Sequence, residues 1–492
     1  MKQFLKTLIL LLSLAFTGCN KQEAFITVEV SEQPEVNTLI YTVPISGTAF
    51  LGFADTLKTN ETGKFELKLK ITQPSFVTIW DSNNSNRVKL LVEQGNNYYV
   101  TMGAKKNVQI TGINEKGQML YTTLPDPSYI EMELGKWLRD TTITLTSVQH
   151  QISELKQADL LKFKELLDNK EITKSYFNLI KKDRDCYYAS LEARFSIIKT
   201  YRTETKIEDS IIANLKRIYD QYPPDDESLR FSSFWPEYAE RFVLEYKQFI
   251  QGDNDIQKLR ELRNNGTINS HMINESKKHI SGKALEFFQA KYIYNECFQG
   301  SYKGSFDKEF ITLFERFEND YPQSEYSKYI KPYIEKIITY HQIIETPYDQ
   351  SIIFMDNYET FNTLEEVIKP LQGKKIYIDV WATWCGPCKV EFAHNEALKK
   401  ILAENDIQLL YISIDKDDYD QQWKNEIKYQ HLTDIHIRAN KALYDDLMKR
   451  FDKNAKDPYI AIPWYIFVDE KGNIIEDHAK SPSQLVAGEK LW

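Results

Sequence analysis

Two cysteines separated by Gly and Pro, Cys385 and Cys388, are the residues of this chain whose type and spacing most clearly predict chemistry. They follow an apolar segment, residues 375–381, whose pattern favours a strand, and they open a segment that favours a helix. At a helix N-terminus the unpaired backbone N–H groups favour a thiolate and lower the thiol pKa. The spacing therefore predicts a redox dithiol, in which Cys385 attacks a disulfide and Cys388, one helical turn away, resolves the mixed disulfide.

Metal binding is the competing use of a Cys-x-x-Cys spacing. A zinc site needs a second pair of Cys or His residues at suitable spacing, and no such pair accompanies Cys385 and Cys388. His431 and His436 are close in sequence, but the residues between them are typical of a loop that enters a strand. We therefore expect no metal site.

The chain has five cysteines, too few for a disulfide scaffold at this length, and an odd number cannot all pair with one another. Cys186 and Cys297 share helical faces with apolar residues, so we predict buried core thiols. A structural disulfide between these two, or an electron relay through them, stays open because the sequence does not give their separation in space. The fifth cysteine, Cys19, belongs to a segment of a different kind.

Residues 1–18 are typical of a secretory signal peptide, in which two lysines precede an apolar run over about residues 8–16 and small residues precede Cys19. The run is about half the length of a membrane span. The Gly-Cys ending resembles the lipobox of bacterial lipoproteins, which implies that Cys19 becomes a lipidated first residue. We expect a mature protein tethered to a membrane through Cys19, in an envelope compartment where disulfides form. A plain signal peptide with an incidental cysteine is the alternative.

Length and composition limit the class of protein. With 492 residues, 42% apolar and 27% charged, the chain has enough apolar mass for two to four domains. A single small domain and extended disorder are both excluded. The net charge is −9 and no long basic run stands out, so we expect no nucleic-acid partner.

The redox pair is positioned by a C-terminal region, residues 346–492, in which apolar strands alternate with helical patterns. Such an order predicts an α/β domain with a central sheet flanked by helices. The predicted strands are residues 375–381, 407–414, 434–438, 464–468 and 473–476, and the predicted helices are residues 386–402, 419–429 and 441–451.

Two further regions precede this domain, so we predict a multidomain chain. Residues 25–115 contain short apolar runs between Gly and Asn turns, clearest at residues 64–71, and predict an antiparallel β-sandwich of about eight strands. Residues 125–345 carry helical periodicity and predict a central all-α region, more typical of a bundle than of a solenoid. Its clearest apolar stripe, over residues 207–222, ends at two prolines.

The segment Trp-Cys-Gly-Pro-Cys is the redox core of thioredoxin itself, and residues 350–492 as a whole resemble the thioredoxin superfamily. The resemblance implies a thioredoxin-like fold and a thiol-disulfide exchange enzyme that needs no cofactor beyond its own Cys385–Cys388 disulfide. It also implies disulfide-containing envelope proteins as partners and an upstream thiol-disulfide electron donor. Gly386 and Pro387 form the dipeptide of reducing thioredoxins, so reduction is favoured, although direction also depends on the donor.

Further positions match the superfamily. Asp379 matches a buried aspartate that accepts the proton of the second cysteine, and in a strand of Ile and Tyr its desolvated carboxyl group is expected to have a raised pKa. Pro463 matches a cis-proline beside the redox pair, where Ile462 presents a backbone edge to a substrate strand. Trp384 is expected to bind substrate with them. An ordinary sheet-end aspartate and a trans edge-strand proline are the alternatives.

The pattern from Cys388 to Glu391, together with the predicted signal peptide, resembles the TlpA/ResA-like envelope branch, in which this glutamate tunes the second cysteine. The sequence departs from that branch at Ala393, where a proline is usual, and from thioredoxin at Tyr411, where a lysine partners the buried aspartate. A solvated helix glutamate is the equal alternative for Glu391. Residues 25–115 resemble the β domain that precedes thioredoxin domains in Bacteroidetes lipoproteins, which implies no chemistry.

Two other functions stay open. Thiol peroxidases of the AhpC/TSA type have a related fold, but their reactive cysteine needs a preceding Thr and Pro where this chain has Ala382 and Ile378. A non-catalytic binding lipoprotein with a vestigial redox pair is the other alternative, and the intact dithiol with Asp379 and Pro463 argues against it. The leading hypothesis is a lipid-anchored thiol-disulfide oxidoreductase that acts on envelope proteins.

Overall fold

The computed structural model describes most of the chain. The described residues are 23–31, 36–48, 50, 52–81, 86–103, 107–124, 135, 137, 143–201, 209–253, 256–451 and 459–490. The predicted signal peptide over residues 1–18 and the predicted lipidation site Cys19 lie outside these ranges. No helix within the described ranges is long and apolar enough to cross a membrane.

The chain separates into two compact units. One joins Met1–Asn295 with Arg316–Tyr326, and the other joins Glu296–Glu315 with Ser327–Trp492. The last helices of the predicted all-α region therefore belong to the same unit as the redox pair. The domain boundaries expected from the sequence stay predictions.

The first unit begins with two four-stranded sheets. Their strands are β1 (Glu23–Val30), β2 (Thr38–Thr42), β3 (Ala54–Lys58), β4 (Phe65–Lys70), β5 (Ser75–Asp81), β6 (Arg87–Val92), β7 (Asn97–Met102) and β8 (Val108–Gly112). The sheet orders are β4-β1-β7-β8 and β3-β2-β5-β6. Apolar side chains of both sheets form one buried cluster, and burial alternates residue by residue along β4, as its sequence predicts.

One pairing differs from the predicted antiparallel arrangement, because β1 and β7 run parallel, with Phe25 opposite Asn97. A parallel pair needs a long crossover connection, and strands β2 to β6 supply it. Sequence periodicity reports which face of a strand is buried but not the direction of its neighbour, so it could not reveal this pairing. Strand β3 is mostly exposed and has no apolar alternation, so its sequence carries no periodic signal of a strand.

Helices make up the rest of the first unit. They are α1 (Glu115–Thr122), α2 (Leu145–Asp168), α3 (Lys174–Tyr201), α4 (Asp209–Gln221), α5 (Trp235–Arg241), a π-helix (Phe242–Asp253), α6 (Ile256–Asn264) and α7 (Ile268–His279). Two more, α8 (Gly282–Lys303) and α9 (Glu309–Asp320), contribute residues to both units. The predicted apolar stripe is confirmed in α4, which buries Ile211, Leu215 and Ile218.

The second unit is built on one six-stranded sheet. Its strands are β9 (Ile352–Phe354), β10 (Lys375–Trp381), β11 (Ile407–Ser413), β12 (Asp434–Arg438), β13 (Trp464–Val468) and β14 (Ile474–Glu476). Its helices are α10 (Ser327–Glu345), α11 (Leu364–Ile368), α12 (Gly386–Phe392), α13 (Asn395–Glu404), α14 (Asp420–Tyr429), α15 (Lys441–Phe451) and α16 (Pro482–Val486). The sheet order is β14-β13-β10-β11-β12-β9, with β9 to β12 parallel and β13 and β14 antiparallel to their neighbours. The predicted α/β domain is confirmed, and β10 leads directly to the redox pair.

The helix predicted over residues 386–402 is interrupted, because the structure divides it into α12 and α13. Phe392, Asn395 and Leu398 are all buried, yet at about 100° per residue their spacing turns the last about 120° away from the first. A straight helix could not direct all three to one core. The break lets each segment present its own face, and α12 becomes a short element that carries the redox pair.

Candidate active site

The two cysteines of the predicted dithiol are joined in a disulfide at the start of α12 (Sγ–Sγ 2.02 Å). Cys385 precedes the helix, and its Sγ accepts a hydrogen bond from the backbone N–H of Cys388 (3.1 Å). Cys388 is completely buried, whereas Cys385 keeps 4% of its surface exposed and its neighbour Trp384 keeps 53%. In the first turn of the helix, Gly386 is buried and Pro387 is exposed. An incoming sulfur therefore reaches Cys385 more readily than Cys388.

Asp415, a residue that no motif marked, holds the loop before Cys385 in place. Its carboxylate accepts hydrogen bonds from the backbone N–H of Thr383 (2.9 Å) and from the hydroxyls of Thr383 and Ser413 (2.8 Å each). Burial raises the pKa of Asp415, and these hydrogen bonds oppose the rise. The contact is possible because β11 runs parallel to β10, with Ser413 opposite Trp381, so both strands end at one edge. The sequence did contain a signal for Asp415, because a polar residue directly after a parallel strand often lies at a functional edge of the sheet.

Asp379 lies buried within β10, with Tyr411 and Tyr465 opposite it on the two neighbouring strands. Cross-strand neighbours point to the same face of a sheet, so two tyrosines flank the carboxyl group. Neither of its oxygens has a hydrogen-bond partner among the described residues. Burial, and to a smaller extent the charge of Glu391, raises the pKa of Asp379 well above its usual value. Asp379 is buried as the sequence predicts, and its role as a proton acceptor stays a prediction.

Glu391 connects the redox helix to α16. Its carboxylate accepts hydrogen bonds from both the backbone N–H and the hydroxyl of Ser483 (2.9 Å each). The residue is half-buried. Glu391 is therefore held in one position, and the alternative of a freely solvated helix glutamate does not describe it.

Ring packing places α12 over the face of β10 that carries Asp379. Residues two apart in a strand point to the same face, so Asp379 shares its face with Trp381, whose ring contacts that of Phe392 (5.3 Å between centroids). Cys388 and Glu391 lie three residues apart and share one side of α12. Because the charge of Glu391 also acts on Asp379, we place Cys388, Asp379 and Glu391 on the same side of the sheet.

The Ile462–Pro463 peptide bond is cis, as the sequence predicts, and both residues are half-buried. Strand β13 begins at the next residue, Trp464, which lies opposite Val380 near the end of β10. The proline loop and the redox pair therefore lie at the same edge of the sheet.

A groove of about 590 Å³ borders the exposed ring of Trp384. It lies beyond the carboxyl ends of β11 and β12, where Ile414, Tyr419 and Tyr444 form apolar parts of its wall. Lys416 and Lys441 also line it. A mostly apolar groove with a few charged groups has the form of a binding site.

The other two described thiols and a buried histidine lie away from the redox pair in sequence and are packed in the protein interior. Cys186 and Cys297 are free thiols, buried as predicted, and burial raises the pKa of each. His436 is buried in β12, where its ring stacks on Tyr411 (4.8 Å between centroids) and burial lowers its pKa to about 3. In the part of the chain that the structure describes, no three His, Cys, Asp or Glu residues are grouped to hold a metal ion.

Comparisons with known proteins match the C-terminal part of the chain. Residues 363–487 match the Redoxin family. The thiol-disulfide oxidoreductase ResA of Bacillus thuringiensis subsp. konkukian is 24% identical over 110 residues, which are 22% of this chain and 57% of that protein. The thioredoxin-like protein YneN of Bacillus subtilis is 25% identical over 133 residues, 27% of this chain and 72% of that protein. The crystal structure of StoA from Bacillus subtilis is 24% identical with a TM-score of 0.20, and the match covers 24% of this chain and 84% of that one.

The matched region contains the whole candidate site. The chain spans 57% of the length of ResA, and the Redoxin match is limited to residues 363–487. Within that region lie the disulfide-bonded pair, Asp379 and the cis Pro463. Residues 363–487 therefore carry a Redoxin domain, and the relatives that the chain resembles include thiol-disulfide oxidoreductases such as ResA.

Proposed function

We propose that the protein is a membrane-anchored thiol-disulfide oxidoreductase that reduces disulfides in proteins of the cell envelope. The observation that carries this proposal is the arrangement at α12, where an accessible Cys385 is bonded to a buried Cys388 on the side of the sheet that carries Asp379. The disulfide of this pair is the oxidised product of the proposed reaction.

The first step is attack by the Cys385 thiolate on a disulfide of the substrate protein. A bond forms between Cys385 Sγ and one substrate sulfur, and the other substrate sulfur leaves as a thiolate. The position of Cys385 before the first turn of α12 favours the thiolate, because backbone N–H groups such as that of Cys388 point toward its sulfur.

The second step releases the reduced substrate. Cys388 gives its proton to Asp379 and attacks Cys385 Sγ, so the bond from Cys385 to the substrate breaks and the substrate sulfur leaves as a second thiolate. Two electrons have then passed to the substrate, and the Cys385–Cys388 disulfide has formed. The raised pKa of Asp379 brings its basicity closer to that of a thiolate, which favours the proton transfer. Glu391 tunes this step through its charge on Asp379.

Substrate binding is proposed at the edge where the proline loop and the redox pair meet. The backbone of Ile462, before the cis Pro463, offers an edge to an extended substrate segment. The exposed ring of Trp384 and the groove beside it take neighbouring apolar side chains. Gly386 and Pro387, between the cysteines, favour the reducing direction.

The remaining parts of the proposal come from the sequence. A lipid on Cys19 would anchor the protein to a membrane of the envelope, on the periplasmic side, and an upstream thiol-disulfide protein would restore the dithiol. The reaction needs no cofactor beyond the disulfide and no nucleic acid.

We also propose a division of the chain into three domains. Residues 25–115 form a β-sandwich, since the two sheets share one buried cluster. A helical domain follows over 125–345, and the thioredoxin-like domain covers 346–492.

Insulin reduction with dithiothreitol as the electron source tests the activity. The wild-type chain is expected to accelerate the reaction, and Cys385→Ser to leave only the uncatalysed rate. A wild type no faster than Cys385→Ser would contradict the proposal.

A trapping experiment distinguishes the alternatives. Cys388→Ala stops the reaction at the mixed disulfide, so it should accumulate envelope proteins that dithiothreitol releases, whereas a Cys385→Ala/Cys388→Ala control should not. A folded Cys388→Ala variant without trapped partners would favour the binding lipoprotein. Peroxide consumption that needs Cys385 but survives Cys388→Ala would favour the thiol peroxidase.

A further inference from the structure

We infer that the redox equilibrium of the two cysteines depends on charge balance in a buried ion pair, Lys389–Glu426, in which each charge cancels the effect of the other. The pair is covered by Gly304, in the helical segment that precedes the redox domain. The inference rests on the dithiol chemistry proposed above. Lys389 and Glu426 are positioning residues, because they act through their charges on the cysteines and need not touch the substrate.

The ion pair joins the redox helix to α14. Lys389 directly follows Cys388, and its Nζ lies 3.2 Å from Oε1 of Glu426. The Glu426 side chain is completely buried, and that of Lys389 is 12% exposed. Gln430 donates a hydrogen bond to the same Glu426 oxygen (2.9 Å). Burial lowers the pKa of Lys389, and the adjacent Glu426 carboxylate opposes this shift.

Gly304, just after α8, approaches both members of the pair and the loop before the cysteines. A side chain at this position would place its Cβ 2.6 Å from Lys389 Nζ, 2.9 Å from Glu426 Oε2 and 3.1 Å from the carbonyl oxygen of Thr383. Its φ of +73° is also a conformation that L side chains rarely adopt. The backbone of residue 304 lies directly against the ion pair and leaves no space for a side chain, so glycine is the residue that fits this position.

Other contacts hold Gly304 against the redox domain. Gln422 in α14 donates a hydrogen bond to its carbonyl oxygen (3.3 Å). The ring of Phe306 contacts those of Tyr340 in α10 and Tyr429 in α14 (4.3 and 4.9 Å between centroids). Residues 296–315 are thus part of the same compact unit as the redox pair.

The charges matter because they are balanced. A close ion pair produces a weak field at the cysteines, whereas either charge alone in a buried site acts strongly. An unpaired ammonium favours the thiolate, and with it the reduced dithiol. An unpaired carboxylate disfavours the thiolate and so has the opposite effect. The pairing therefore allows a positive charge beside Cys388 without making the disulfide easier to reduce.

The test is the redox equilibrium of the full chain with glutathione for Glu426→Gln, Lys389→Met and the double variant. We expect Glu426→Gln to make the disulfide roughly tenfold easier to reduce, because one unpaired positive charge beside the redox helix stabilises the thiolate. Lys389→Met should shift the equilibrium the other way, because the Glu426 carboxylate is then unpaired. The double variant should return to within about twofold of the wild type, because both charges are gone.

A merely structural role would shift the two single variants in the same direction or not at all, and either result in proteins with native circular dichroism would overturn the inference. If Glu426→Gln does not fold, the opposite shift of Lys389→Met and its reversal in the double variant carry the test. A wild type without a reducible Cys385–Cys388 disulfide would instead contradict the proposed function.

Discussion

Both units contain buried thiols, and their surroundings differ in the features that decide reactivity. Cys186 lies in the interior of α3 in the first unit, where burial and the nearby Asp183 raise the pKa of its thiol. Cys385 lies immediately before a helix, where its sulfur accepts a hydrogen bond from a backbone N–H. Position along a helix thus separates an inert thiol from one suited to attack.

Buried acids differ between the units in the same way. Asp183 pairs with Arg184 (3.1 Å) and accepts a hydrogen bond from the Ser232 hydroxyl (2.8 Å). Asp379 has no hydrogen-bond partner among the described residues, and its pKa is raised well above the usual value. A paired acid supports one packed arrangement, whereas an unpaired one can gain and lose a proton, which is a feature of functional sites.

Replacing the cysteines gives the largest expected contrast. Cys385→Ser should lower insulin reduction to the uncatalysed rate, because the attacking thiolate is lost. Cys186→Ala should keep the rate per folded molecule and lower the free energy of unfolding by roughly 1 kcal/mol, as expected for a small cavity. A Cys186→Ala protein that folds but has lost its activity would break the comparison.

Replacing the acids should separate catalysis from stability. Asp379→Asn should slow resolution of the mixed disulfide by roughly 100-fold, because the proton acceptor is lost. Asp183→Asn should leave that rate unchanged in the folded protein and lower the free energy of unfolding by roughly 3 kcal/mol, since buried Arg184 loses its carboxylate partner at 3.1 Å and keeps the more distant Asp159 at 4.0 Å. Single-turnover kinetics and urea unfolding measure the two effects, and an unchanged rate in Asp379→Asn would remove Asp379 from the mechanism.

The pH dependence of stability sharpens the same contrast. The pKa of Asp379 is higher in the folded than in the unfolded chain, so the folded chain binds more protons between those two values. Its contribution to stability should be fully present below the unfolded pKa of about 3.9 and be lost by about 1.4 kcal/mol per pH unit as the pH rises toward the folded pKa. Asp379→Asn should therefore unfold at higher urea than the wild type at pH 7 and at the same urea near pH 3. If the urea midpoints of Asp379→Asn and the wild type differed by the same amount at pH 7 and at pH 3, the pKa of Asp379 would not be raised in the folded chain.

A smaller effect is expected where an acid only holds the loop. Asp415→Ala removes the acceptor of both Thr383 hydrogen bonds and should lower the free energy of unfolding by roughly 1–3 kcal/mol. We expect the insulin rate to fall a few-fold, because the loop before Cys385 is less well fixed. Thr383→Ser, which keeps the hydroxyl and the N–H, is the matched control and should stay close to the wild type.

The smallest effect is expected at Ser483. Ser483→Ala removes one of the two hydrogen bonds to Glu391 and leaves the backbone N–H, so it should cost about 1 kcal/mol of stability. Ser481→Ala, which removes the cap of α16 but no contact to Glu391, is the control. If both variants shift the resolution rate of the mixed disulfide equally, Ser483 has no particular role in holding Glu391.

Local patterns were sufficient for the strand that leads to the dithiol and for the start of the helix that carries it. The strand predicted over 375–381 and the helix predicted over 441–451 have those bounds in the structure. Periodicity and residue type succeed there because strand, turn and helix start are set by neighbours in sequence. They failed for the direction of β1 against β7 and for the break after Phe392, where pairing and core geometry decide.

The partners of the site residues come from distant parts of the chain, and no pattern announced them. Asp415 and Thr383 are 32 residues apart in the sequence, and Ser483 and Glu391 are 92 residues apart. Gly304 likewise approaches the Lys389–Glu426 ion pair from a distant part of the chain. Residue type and spacing were enough to identify the two cysteines, since the chemistry of a thiol at a helix start is local. The isolation of Asp379 and the balance of charge around α12 arise only when strands and helices pack, because burial and electrostatic interaction depend on neighbours in space.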